Sequence, residues 1–222
     1  CIEVCVELAK SSILEKKLGG YNALEKIVAQ DPFLAPLLSY FHESGKLDIM
    51  NFRLVHSECL EPIKQILVFM ANCGLLTYEF IENQWKGAAQ IHENDRSKFY
   101  SVFTAFVPKL TGETLIKSVD LFMTEYQSCM EWSDMMVSIQ VSLTSAQNCD
   151  QVFAVMRNKA WDLYTNHSEL PRINDILAKS LSVSLSPEEF SQAIQRLTDP
   201  TPTITTYDIL KGAFEKMKDR KS

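Results

Sequence analysis

No stretch of this 222-residue sequence approaches the ~20 uninterrupted apolar residues that a membrane-spanning helix needs. The longest candidate, Ile63 to Leu76, is broken by Lys64, Gln65, Asn72 and Gly74 and reads as a buried helix. An excess of basic charge is missing as well. The 22 Lys and Arg stand against 28 Asp and Glu, a net charge of -6. That balance speaks against a nucleic-acid partner, whose phosphates require a basic stripe, and against an anionic membrane surface. The six cysteines (Cys1, Cys5, Cys59, Cys73, Cys129, Cys149) include no CxxC pair. A secreted scaffold would carry a denser framework, so reduced, mostly buried thiols in cytosol or nucleus are expected. No signal-peptide pattern opens the chain, which starts at Cys1 rather than Met. Boundaries cut from a longer polypeptide are expected.

What is present is apolar material at helical spacing. Apolar residues make up 46% of the chain, too much for a chain disordered as a whole. The length exceeds the ~100–150-residue mode of single domains and fits one elongated domain or two small ones. Ile13, Leu14, Leu18, Tyr21, Leu24, Ile27 and Val28 recur at three- and four-residue steps, the stripe of an amphipathic helix. Gly19-Gly20 within it marks a kink or a close packing contact. Asp31-Pro32 ends it, since the residue before proline disfavours helical geometry. Phe33 to Phe41 is a short apolar segment, punctuated by Gly45.

A long helix is predicted from about Ser57 to Cys73, with Ile63, Ile66, Leu67, Met70 and Ala71 inward and Gly74 as its stop. Thr77 caps the next, whose inner face is Phe80, Ile81, Trp85, Ala88 and Ala89. Asp95 is the expected cap of a third, carrying Phe99, Val102, Phe103, Phe106 and Val107, with Pro108 near its end. A fourth follows Thr111, with Leu115, Ile116, Val119, Phe122 and Met123 inward. Val137 to Leu143 alternates serine or glutamine with apolar residues and reads as an extended linker. Helices are predicted from about Gln147 to Asn166 and from Pro171 to about Leu181. Ser182 to Ser186 alternates again and reads as a loop or an isolated strand. Ser186-Pro187-Glu188-Glu189 is a capping-box start. Asp199 to Thr206 is a connection, and Tyr207 to Lys218 a final amphipathic helix.

Roughly ten helices of ~10–20 residues with short turns and no convincing sheet make this an all-α chain. Short-looped helices of this kind stack as antiparallel pairs, so an armadillo/HEAT-like α-solenoid is expected. Residues 1–130 form the helical-repeat region of that reading; residues 131–222 continue it or form a separate sub-bundle.

Catalytic chemistry finds little support. A thiol hydrolase needs a cysteine of lowered pKa beside a histidine, with an orienting group. His42, His56, His92 and His167 are available, but none stands near a cysteine in such a context. Cys1 and Cys5 share a helix face, as do His56 and Cys59, yet neither pair has the further ligands of a zinc site. No Gly-rich phosphate loop occurs, and Asp48 to Asn51 lacks the alternating oxygens of a calcium loop. The aromatic stripe Phe80, Trp85, Phe99, Phe103, Phe106 reads as core. No residue is assigned a catalytic, cofactor-binding or metal-binding role.

Several segments resemble a known family. Ser11-Ser12-Ile13-Leu14-Glu15-Lys16-Lys17-Leu18-Gly19-Gly20 resembles the small, small, apolar, apolar, Glu-Lys-Arg/Lys-Leu, Gly-Leu opening of the helical-repeat region of large ubiquitin-specific proteases of the fat-facets type. His56-Ser57-Glu58-Cys59-Leu60 is similar to that region's His-x-Glu-Leu helix. Leu76 to Trp85 resembles its Leu-Thr-x-Glu-x-Ile/Leu-x-x-Ile/Leu-Trp element, and Ile91-His92-Glu93 the x-His-Glu that follows. The likeness runs from Lys10 to Phe122, with Tyr21 where leucine is usual. It implies a non-catalytic scaffold of a large deubiquitinase that recruits substrate or partner proteins, its protease domain elsewhere and the fragment itself monomeric. An unrelated helical-repeat adaptor of the transport-receptor sort is the alternative, and a small all-α thiol or metal enzyme a third.

Overall fold

The computed structural model describes residues 2–30, 37, 40–41, 49–88, 91–143, 149–167, 170–184, 191, 194–195, 211–212 and 214–215. The chain divides into two compact units, Cys1–Thr114 and Leu115–Ser222. All regular structure among the described residues is helical, so the fold class is all-α.

The first unit opens with α1 (Ile2–Ala9), a helix that the sequence periodicity alone did not single out, and α2 (Leu14–Val28). Cys5, Val6 and Ala9 of α1 are buried, as are Gly20, Tyr21, Leu24 and Ile27 of α2. Gly20 is the contact point. A Cβ there would lie 2.4 Å from the Ala9 nitrogen and 2.6 Å from the Cys5 carbonyl oxygen. The glycine pair therefore serves close approach rather than a kink, and α2 runs through it unbroken. The helix stops at Val28, with Ala29 as its C-cap, ahead of Asp31-Pro32. Asp31 and Pro32 lie outside the described residues, as does most of Phe33 to Phe41; Leu37 and Phe41 are buried.

Residues 49–56 return to this frame through polar anchors. The buried Tyr21 hydroxyl donates to the Ile49 carbonyl. The Phe52 N–H donates to Gln84 Oε1 at 2.8 Å, and the Phe52 ring sits edge-on to Phe99 and Phe103 at 5.1 and 5.4 Å. Gln84 is thus a core glutamine that satisfies a buried backbone donor, the condition for placing an amide inside a core. A 3₁₀ turn (Ser57–Cys59) leads into α3 (Leu60–Asn72). The α3 stop is a full Schellman motif: the Gly74 N–H donates to Ala71 O, the Leu75 N–H to Met70 O, and Gly74 takes φ +68°. Thr77 caps α4 (Tyr78–Ala88), its Oγ1 accepting from the Phe80 N–H at 3.3 Å.

The start of α5 (Glu93–Phe106) corrects the expected cap. His92, not Asp95, is the N-cap; its Nδ1 accepts from the Asn94 N–H at 3.3 Å, and Asp95 stands in the first turn. Phe99, Val102, Phe103 and Phe106 are buried as their spacing required, together with Tyr100. Trp85 meets Phe103 edge-on at 5.5 Å and Tyr100 at 5.9 Å. Phe80 is only half-buried. α3 packs against both α2 and α5, so α5 meets the helix two places before it.

The helix α6 (Gly112–Thr124) begins at the end of the first unit, and its part in the second buries Leu115, Val119, Phe122 and Met123, while Ile116 is half-buried. α7 (Met130–Leu143) is a correction: the predicted linker Val137 to Leu143 is its last two turns. Trp132, Met135, Met136, Ile139 and Leu143 are buried at three- and four-residue steps, and Val141, which suggested alternation, is 49% exposed. Buried Ser133 and Gln140 fill core positions with polar residues and so disguise the helical period. Trp132 Nε1 donates to the Phe122 carbonyl at 3.0 Å.

α8 (Asp150–Asn166) and α9 (Ile173–Ser184) complete the unit. α9 extends through Ser184, so the start of the Ser182–Ser186 alternation is helix, not loop or strand. Gln140 Nε2 donates to Ile176 O at 3.2 Å and to Ser180 Oγ at 2.6 Å, joining α7 to α9 inside the core. At the other end of the same seam the Arg172 guanidinium pairs with Asp134 and with Asp175, while its backbone takes φ +54°. The capping signal at Ser186 to Glu189 and the connection from Asp199 to Thr206 lie outside the described residues. So does most of Tyr207 to Lys218, of which Lys211, Gly212, Phe214 and Glu215 are helical.

Candidate functional site

Histidines and cysteines were the residues with chemical potential in this sequence, and the fold assigns most of them to structural work. His56 and His92 perform the same task. Each stands in extended backbone just before a helical turn and accepts, through Nδ1, the N–H two residues on, from Glu58 and from Asn94, both at 3.3 Å. An accepting Nδ1 puts the ring proton on Nε2 and makes the imidazole a cap for an otherwise unpaired helix N–H. His167 is the C-cap of α8, half-buried, with its ring 5.1 Å from Tyr126. His42 lies outside the described residues.

Cys5, Cys59 and Cys149 are buried, Cys129 is half-buried, and Cys73 is exposed at the C-cap of α3. Burial pushes the Cys59 thiol up; Lys17 opposes that rise and Glu58 adds to it. Burial pushes the Cys149 thiol up too, with Asp150 reinforcing it. Both shifts run opposite to what an activated nucleophile needs, because the thiolate is the reactive form. Although His56 and Cys59 are three residues apart, the histidine is exposed at the cap while the thiol is fully buried. Cys1, the other half of the Cys1–Cys5 pair, lies outside the described residues. Among the described residues no group of three or more His, Cys, Asp or Glu side chains is placed to hold a metal ion. No helix among them is long and apolar enough to cross a membrane.

The segments quoted for the family resemblance fall on caps and packing contacts. Gly20 sits in the α1–α2 contact, His56 caps the turn that buries Cys59 and Leu60, and Leu76, Ile81 and Trp85 are buried around the Thr77 cap. His92 caps α5.

A groove of about 660 Å³ runs along α1 and the first turn of α2. Val4 and Leu8 supply its apolar part, and Glu3, Glu7, Lys10 and Lys16 its charges. Sequence reasoning passed over it. The available signal was that α1 is apolar on two sides, Cys5, Val6 and Ala9 on one and Val4 and Leu8 on the other. Such a helix has more apolar surface than one neighbour covers. No protein-family model, no curated protein and no solved structure matches this chain.

Proposed function

We propose that this chain is a non-catalytic helical scaffold of a large ubiquitin-specific protease of the fat-facets type, recruiting substrate or partner proteins for a protease domain carried elsewhere in the polypeptide. The observation that carries the reading is the agreement between motif and structural role. The residues in the ordered segments from Ser11 to Glu93 that recur in that family's helical region are caps and helix contacts here. Residues in those roles serve packing rather than chemistry. The arrangement is that of an α-solenoid of stacked helix pairs. Its support is that α3 packs on α5 and α7 on α9, each one helix removed in sequence, as stacked pairs require. The raised Cys59 and Cys149 thiols support the non-catalytic role.

Two measurements test it. The isolated chain is expected to leave ubiquitin conjugates uncleaved; turnover abolished by replacing one cysteine with alanine would overturn the reading. The parent reading frame is expected to encode a cysteine-box and histidine-box protease domain. Its absence would give the chain to the adaptor class instead.

A further inference from the structure

We draw no further inference here: the strongest candidate, the apolar surface patch of Val4 and Leu8 on the outer side of α1, is an unpartnered helix face, and nothing in the structure shows what covers it.

Discussion

Gly20 meets the backbone of Ala9 with no room for a side chain: an added Cβ would stand 2.4 Å from the Ala9 nitrogen and 2.9 Å from the Leu8 carbonyl carbon. The atoms in the way are main chain, which cannot step aside as a flexible side chain can. Its neighbour Gly19 has nothing within 4 Å of the same position. The two glycines therefore predict opposite outcomes. Gly20→Ala should destabilise the protein by about 1–3 kcal/mol through overpacking. Gly19→Ala should stabilise it by about 0.5–1 kcal/mol, because it removes backbone entropy from an exposed helix interior. Urea denaturation of the pair gives both signs in one experiment.

Tyr21 sets an alkaline limit on stability. Burial pushes its phenol well above the usual range, with the nearby Cys59 adding to the rise. The neutral hydroxyl donates to Ile49; ionisation would lose that donor and leave a charge in the core. The stabilisation is complete below the unfolded value of about 10 and drains away as pH climbs from there toward the folded value. Tyr21→Phe should lose about 0.5–1.5 kcal/mol at neutral pH. Its denaturation midpoint should then fall less steeply than the parent's above about pH 10.

At Gln140 an amide is fully buried, and its Oε1 lacks a hydrogen-bond partner among the described residues. Gln140→Met keeps the volume and removes the orphan, and the Ile176 carbonyl still accepts from Ser180 Oγ at 2.8 Å. That exchange should be within about 1 kcal/mol of neutral, and Gln140→Ala should cost about 2–4 kcal/mol for the cavity it opens. Similar losses for both variants, measured by thermal melting, would show that the amide's hydrogen bonds outweigh its orphaned oxygen.

The histidine caps can be checked by exchange. His92→Ala should lose about 0.5–2 kcal/mol, and His92→Asn, which offers a side-chain oxygen to the same N–H, should recover most of it. His56→Ala should behave alike at the smaller 3₁₀ turn. Equal loss for alanine and asparagine at position 92 in chemical denaturation would refute the capping role.

Alkylation should sort the thiols by setting. Cys73 is exposed and is expected to react first with iodoacetamide at neutral pH. Cys59 and Cys149 are shielded, and their raised pKa leaves little thiolate at that pH. Their modification should be slow and should accelerate as pH rises, followed residue by residue by mass spectrometry.

Much of the fold was legible because its helices begin and end on residues with a local mechanism. Gly74 must follow α3, since its backbone has positive φ; Thr77 must precede α4, since its hydroxyl pairs with an N–H. The misreadings have local causes too. In α7 the exposed Val141 and the buried Gln140 exchange the positions that hydrophobicity assigns them, and a helical stripe then looks like alternation. The α5 start was displaced by three residues because Asp95 is the commoner type of cap, while His92 holds the place with the right backbone geometry. Phe52 was overlooked because its burial depends on Gln84, Phe99 and Phe103, all more than thirty residues away. The α1 groove was missed because its apolar pair is spaced as a core pair would be. Only the packing of α1 against α2 shows which side is left over.

Cys73 carries a further consequence. It stands one residue before the glycine that ends α3, on a side chain the core does not use, while the shielded thiols are slow to compete. The chain thus comes with a native attachment point on a rigid helix end in the first unit. A dye or spin probe hung there would report on the end of α3 within the first unit without any engineered cysteine.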